Sequence, residues 1–231
     1  MAEDDHKSGH RDRLRQRLLA GGAEGFHDYE LLEYVLTLAI PRRDTKPLAK
    51  RLLAEFGDLP ALLAASPSEL ARVEGLGEGA AAALKFVEAC GVRALQRQAL
   101  NRPVLASFDA VTDYLHARLA HALTEEFRVL FLNNRNILIR DERFGEGTVN
   151  QAPAYPREIV KRALELQASA IILVHNHPSG DPTPSLEDIR LTRAIADAAR
   201  PLGISVHDHL VIARTGHVSF RAQGLLSSPS P

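Results

Sequence analysis

The sequence has little of several residue types, and each shortage excludes a class of protein. Among its 231 residues there is one cysteine, Cys90, and no tryptophan. A single thiol cannot form an internal disulfide or a thiolate zinc cluster, so any bound metal needs His, Asp or Glu ligands. No apolar run approaches the roughly 18 residues that cross a bilayer. The polar first residues also lack the apolar segment of a secretory signal. We therefore expect a cytoplasmic protein with no membrane partner.

Neither sign of charge dominates the chain. Lys and Arg number 28 against 29 Asp and Glu, for a formal net charge of -1. Hydrophobic residues make up 45%, enough to form a core, while 15 Gly and 13 Pro are ordinary for a globular protein. The length predicts one or two domains.

Residues 1–100 read as helices throughout, with few strand-forming residues. Helices are predicted over 7–20 with a cap at Ser8, over 29–39 with a cap at Asp28, after Asp44 as far as Gly57, and from 78 onwards. The segment Ser66-Pro67-Ser68-Glu69 has the capping-box spacing, with proline at the first helical position. These signals predict a small all-α domain over residues 1–100.

Strand patterns begin after Asn101-Arg102-Pro103. Strands are predicted over 127–132, 137–140, 170–174, 205–213 and 217–220, and helices over 156–167 and 186–199. The order α-β-β-α-β-α-β-β predicts one mixed sheet flanked by helices over residues 104–225. The fold class is therefore mixed α+β, and we expect residues 227–231 to be frayed.

One segment carries residues typical of a metal site. His175 and His177 follow the apolar run 170–174, and side chains two apart on a strand project to the same side. After a loop rich in proline and glycine, Asp188 is predicted in the first turn of a helix. Three such ligands with one open position are typical of a catalytic zinc centre.

Two other interpretations remain open for these residues. A His-x-His pair is more often a hydrogen-bonded pair than a pair of ligands. Ser185 and Asp188 also have the spacing of a helix start, in which serine caps the backbone and the acid complements the helix dipole. A second pair, His207 and His209, has no third ligand nearby in the sequence. We therefore expect it to contact the side chains that bind the metal and not the metal itself.

The segment His-x-His-Pro, followed after six residues by Ser-x-x-Asp, resembles the JAMM motif of JAB/MPN zinc metalloproteases. The longer string from His175 to Asp188, His-Asn-His-Pro-Ser-Gly-Asp-Pro-Thr-Pro-Ser-Leu-Glu-Asp, resembles the RadC branch of bacterial proteins. The segments 125–133 and 155–158, and the helical front part, are similar to RadC proteins as well. The resemblance covers nearly the whole chain and implies a JAB/MPN-like domain over 104–225.

The resemblance implies specific roles. His175, His177 and Asp188 would ligate Zn²⁺, and Ser185 would help to hold the developing oxyanion. Glu125 would be the general base, although the adjacent Glu126 is an alternative that the sequence does not separate. The implied activity is a zinc-dependent hydrolase, a metallopeptidase that cleaves an amide or isopeptide bond of an unidentified peptide or amide.

The front domain suggests a rival function. The Gly75-Leu76-Gly77 turn is similar to a helix-hairpin-helix, which can bring backbone N–H groups against a phosphate. Basic clusters lie in residues 7–17 and 42–51. However, Glu74 and Glu78 bracket the turn, and residues 1–100 hold 14 basic against 15 acidic side chains. We therefore expect at most weak DNA binding, and the alternative function is a DNA-associated repair accessory protein with a structural or idle metal site.

Overall fold

The computed structural model describes residues 2–41, 43–100, 103–104, 108–146 and 154–226. The chain forms two compact units, Met1–Gly91 and Val92–Pro231, whose boundary falls inside a long helix, Glu78–Leu100. Residues 227–231 lie outside the described part, so their predicted fraying stays a prediction.

The N-terminal unit is helical, as predicted. Its elements are α1 (Ala2–Gly21), α2 (Asp28–Ala39), α3 (Lys46–Phe56), α4 (Leu59–Ala64), α5 (Pro67–Leu70) and the start of α6 (Glu78–Leu100). The inward faces of α2 to α6 form one core, whose fully buried members include Leu36, Leu52, Leu62, Leu70 and Leu84.

Several helix ends differ from the sequence prediction. The first helix begins at Ala2 and not at Lys7, so Ser8 lies within it and does not cap it. Asp28 is the first residue of α2, and the cap is His27, whose backbone N–H donates to the Glu30 carboxylate at 3.1 Å. Helix α4 was not predicted, because it has only 6 residues and no amphipathic repeat to detect.

The C-terminal unit contains the predicted mixed sheet. Its elements are α7 (Phe108–Leu119), β1 (Glu126–Leu132), β2 (Leu138–Glu146), α8 (Pro156–Glu165), β3 (Ala170–Asn176), α9 (Leu186–Ala199), a 3-10 turn (Arg200–Leu202), β4 (Ser205–Ala213) and β5 (Gly216–Ser219). The strand order is β2-β1-β3-β4-β5, with β3 and β4 parallel and the other neighbours antiparallel. Strand β3 extends two residues beyond the prediction and includes His175.

Helices cover the sheet on both faces, which explains why β3 is apolar without alternation. Ile172 and Val174 pack with α7 on one face. Ile171 and Leu173 pack with α8 and α9 on the other. In the part of the chain that the structure describes, no helix is both long enough and apolar enough to cross a membrane.

Candidate metal centre

The candidate site lies where β3 ends and α9 begins. His175, at the end of β3, is fully buried on the face that packs against α8 and α9. Its ring stacks on Phe127 of β1, with ring centroids 6.3 Å apart. The carboxyl ends of β3 and β4 and the amino end of α9 meet here, a common place for ligand sites in sheets with parallel strands.

Three side chains converge at this point. The Nε2 atoms of His175 and His177 lie 3.0 Å apart. The carboxylate of Asp188 contributes Oδ1 at 3.2 Å from His175 Nε2 and Oδ2 at 3.6 Å from His177 Nε2. Within the described residues this is the only group of three His, Cys, Asp or Glu ligand atoms that could hold a metal ion. The side chains of His177 and Asp188 are 18% and 14% exposed, so solvent reaches one side of the cluster.

A helix cap orients the carboxylate. Ser185 is the N-cap of α9, and its Oγ accepts from the backbone N–H of Asp188 at 3.1 Å. In return, Asp188 Oδ2 accepts from the backbone N–H of Ser185 at 2.7 Å. The capping interpretation and the ligand interpretation of this Ser-x-x-Asp segment therefore apply together, because the capping box holds Asp188 where it faces both imidazoles.

Hydrogen bonds behind His175 determine which of its nitrogens is free. The hydroxyl of Thr192 donates to the Asp188 carbonyl at 2.6 Å, so its oxygen can accept from His209 Nδ1, which lies 2.6 Å away. His209 Nε2, 2.8 Å from His175 Nδ1, is then the acceptor of that contact. Burial lowers the pKa of His209, which keeps it neutral in this role. His175 therefore carries its hydrogen on Nδ1, and the lone pair of Nε2 points into the cluster.

His177 has the same tautomer for a simpler reason. Its Nδ1 lies 2.9 Å from the backbone carbonyl of Asp181, which can only accept a hydrogen bond. Both Nε2 lone pairs thus face a carboxylate, an arrangement that is stabilised by a cation between them. The Asp188 carboxylate beside His177 accordingly raises the pKa of that imidazole. Although burial alone would raise the pKa of Asp188, interaction with His175 and His177 in their protonated form holds that pKa well below its usual range. The donor set fits zinc, which binds imidazole and carboxylate.

The two candidate glutamates lie in different surroundings. Burial raises the pKa of Glu125, while the nearby charges of His175 and His177 act in the opposite direction. Phe127, two residues further along the chain from Glu125, stacks on His175, so this part of the chain adjoins the cluster. Glu126 accepts a hydrogen bond from Arg128 at 3.1 Å, and Arg128 in turn donates to the buried Asp141. These surroundings favour Glu125 over Glu126 as the neighbour of the cluster.

The two histidines of the second pair, His207 and His209, have different hydrogen-bond partners. His209 contacts His175, whereas His207 Nε2 lies 2.7 Å from Asn136 Oδ1 in the turn between β1 and β2. The register of β4 shifts at this point: Ile171 pairs with Val206 and Ile172 with Asp208, so His207 is left out of the pairing with β3. The sequence did not single out Thr192, although its position four residues after Asp188, on the same face of α9, is a usable signal.

In the N-terminal unit, the hairpin turn binds two of the basic side chains. Gly75 has φ +81, a conformation that favours glycine. Arg43 donates to the Gly75 carbonyl at 3.4 Å, and Arg51 donates to that of Glu74. Residue 42, also in this basic cluster, lies outside the described residues.

Comparison with known proteins agrees with the geometry. Residues 105–225 match the sequence profile of the RadC-like JAB domain, and residues 6–82 match that of the UPF0758 N-terminal domain. The chain belongs to the RadC family. A UPF0758 protein of Rhodobacter capsulatus is 57% identical to this RadC-family chain over 213 residues, which cover 92% of this chain and 100% of the relative. A UPF0758 protein of Ruegeria pomeroyi is 52% identical over 217 residues, 94% of this chain and 97% of that protein. These names state no activity.

Proposed function

We propose that this RadC-family chain is a zinc-dependent hydrolase that cleaves an amide or isopeptide bond in a peptide or another amide. The observation that carries the proposal is the convergence of two imidazole lone pairs and one carboxylate beside a partly buried glutamate. A structural zinc centre usually has four protein ligands, whereas this cluster has three and is open to solvent on one side.

His175, His177 and Asp188 would hold the metal through Nε2, Nε2 and a carboxylate oxygen. When bound, zinc supplies Lewis acidity, which polarises a substrate carbonyl and makes water more acidic. The hydrogen bonds from His175 to His209 and from His177 to the Asp181 carbonyl keep both rings oriented. Such contacts behind the ligands increase the precision and affinity of metal sites.

Glu125 would transfer the proton. Its partly buried carboxylate has a raised pKa, which brings it toward the range suited to a general base near neutral pH. It would accept a proton from the attacking water and deliver it to the departing amide nitrogen. Ser185 accepts from the Asp188 N–H through its oxygen, so its own hydroxyl hydrogen remains for an oxyanion.

The test compares two isosteric variants of neighbouring residues. Zinc content and hydrolysis of a broad peptide and amide panel are measured for Glu125→Gln and Glu126→Gln. We expect Glu125→Gln to bind zinc as the wild type does but to lose roughly 10²- to 10⁴-fold in turnover. Glu126→Gln should retain activity, because that carboxylate is bonded to Arg128. Equal activity of Glu125→Gln and wild type would refute the role of Glu125, and a zinc-loaded wild type inactive on the whole panel would count against the hydrolase.

DNA binding by the N-terminal unit stays a separate prediction. The bonds of Arg43 and Arg51 to backbone carbonyls favour a structural role for two residues of the basic cluster. A DNA titration at several salt concentrations tests the prediction, since phosphate contacts weaken steeply with salt. Absence of binding at low salt would remove it.

A further inference from the structure

Asn176 stands between the two histidines of the cluster and is 1% exposed. It is the last residue of β3, in which successive side chains point to opposite faces of the sheet. Its carboxamide is therefore directed away from the point where His175 and His177 converge. Asn176 is not a ligand, and the proposed chemistry does not use it directly.

The carboxamide makes two bonds to a distant segment of backbone. Oδ1 accepts from the Glu126 N–H at 2.8 Å, and Nδ2 donates to the Thr124 carbonyl at 3.0 Å. These partners are 50 and 52 residues away in the sequence. They are the two residues that flank Glu125, so one side chain binds the backbone on both sides of the proposed base.

We propose that Asn176 is a positioning residue for Glu125. The end of β3, which carries His175 and leads directly into His177, thus also holds the backbone on both sides of the proposed base. A carboxamide suits this task because it offers a donor and an acceptor together. Aspartate would keep the acceptor but lose the donor, and alanine would lose both. The hydrogen bonds of Asn176 to the backbone do not depend on the proposed function, whereas their role in catalysis rests on it.

The first test needs neither substrate nor metal. Hydrogen exchange of the Glu126 amide is followed by NMR in wild type, Asn176→Ala and Asn176→Asp. We expect exchange at Glu126 to accelerate roughly tenfold or more in Asn176→Ala, because a partly buried N–H loses its acceptor. Exchange should stay slow in Asn176→Asp, which retains that acceptor. The control is Asn133→Ala, which removes two bonds from a side-chain oxygen to backbone N–H groups in the β1–β2 turn.

The second test asks whether Asn176 acts through Glu125. Cobalt(II) replaces zinc, and its visible absorption at fixed pH reports on the ligands and on the solvent side of the site. We expect Asn176→Ala to change the band in the same sense as Glu125→Gln. Adding Asn176→Ala to the Glu125→Gln chain should cause no further change, because residues that act as one unit are not additive. Asn133→Ala should give the wild-type band.

The outcomes separate this proposal from the proposed function. An unchanged Glu126 exchange rate in folded Asn176→Ala would overturn the backbone connection. A wild-type cobalt band in that variant, with an altered band in Glu125→Gln, would overturn the positioning role. Failure of the wild type to bind cobalt or zinc would refute the proposed hydrolase function. The exchange experiment would still decide whether Asn176 holds the backbone around Glu125. If Asn176→Ala does not fold, Asn176→Asp carries the cobalt test, with an altered band expected because the Thr124 bond is lost.

Discussion

His175 Nδ1 lies 2.8 Å from His209 Nε2, and both rings are fully buried. The contact continues through Thr192 to the carbonyl of Asp188, so one chain of hydrogen bonds links two proposed ligands behind the cluster. Phe220 packs on the His209 ring, with centroids 4.5 Å apart. His209 therefore fixes both the orientation and the tautomer of His175.

Removal of His209 should weaken metal binding without removing a ligand. We expect folded His209→Ala to bind zinc roughly 10- to 100-fold less tightly, as is typical when a partner behind a ligand is lost. Competition with a chelating dye measures the affinity, and circular dichroism confirms the fold. His207→Ala is the matched control on the same strand and should bind as the wild type does. Equal affinities for the two variants would contradict the role of His209.

Asp188 and Ser185 share a helix cap, and two variants can separate that cap from metal binding. Asp188→Ala should abolish stable zinc binding. Ser185→Ala should retain zinc and lose about 1 kcal/mol of the free energy of unfolding, because α9 loses its N-cap side chain. Metal analysis and urea unfolding of both proteins provide the measurements. Stoichiometric zinc in Asp188→Ala would show that the carboxylate serves the cap alone.

Zinc affinity should fall as the pH is lowered through the raised pKa of His177. The imidazole must lose its proton before Nε2 can bind metal, and the Asp188 carboxylate favours the protonated form. Below that pKa, the apparent affinity should drop by about tenfold per pH unit for each proton released. Calorimetry in buffers of different ionisation enthalpy counts the protons. The range from about pH 5 to 7 includes the ordinary pKa of histidine. A zinc affinity that does not change with pH in this range would argue against His177 as a ligand.

The buried pair Arg128–Asp141 should matter for stability far more than a surface pair. Arg128 Nε lies 2.9 Å from Asp141 Oδ1, and the side chains are 6% and 1% exposed. Asp141→Ala removes a carboxylate partner from the buried guanidinium of Arg128. We expect it to lower the free energy of unfolding, measured with urea, by about 3 to 5 kcal/mol. The comparison is Asp197→Ala, which breaks the exposed Arg200–Asp197 pair and should cost roughly 0 to 1 kcal/mol. Similar losses of stability in both variants would contradict the greater importance of the buried pair.

Local patterns in the sequence were sufficient for most of the fold. Helix α9 was predicted with its observed bounds, because Ser185 caps its start and the apolar repeat ends near Ala199. The helical front part and the mixed sheet were likewise predicted from periodicity. The predictions failed at ends where the competing signals are equally good: Ser8 and Asp28 are both acceptable caps, and neither of them caps its helix.

By itself, the sequence determined the ligand candidates, because two histidines two residues apart at the end of a strand and a capped acid at the next helix start are local facts of spacing. The tertiary structure favours Glu125 over Glu126, since adjacent acids have the same chemistry and differ only in the neighbours that the fold provides. It also decided between His207 and His209, through a shift in strand register that no local pattern signals. The bonds of Asn176 to Thr124 and Glu126 likewise depend on the pairing of β1 with β3, which brings together residues far apart along the chain.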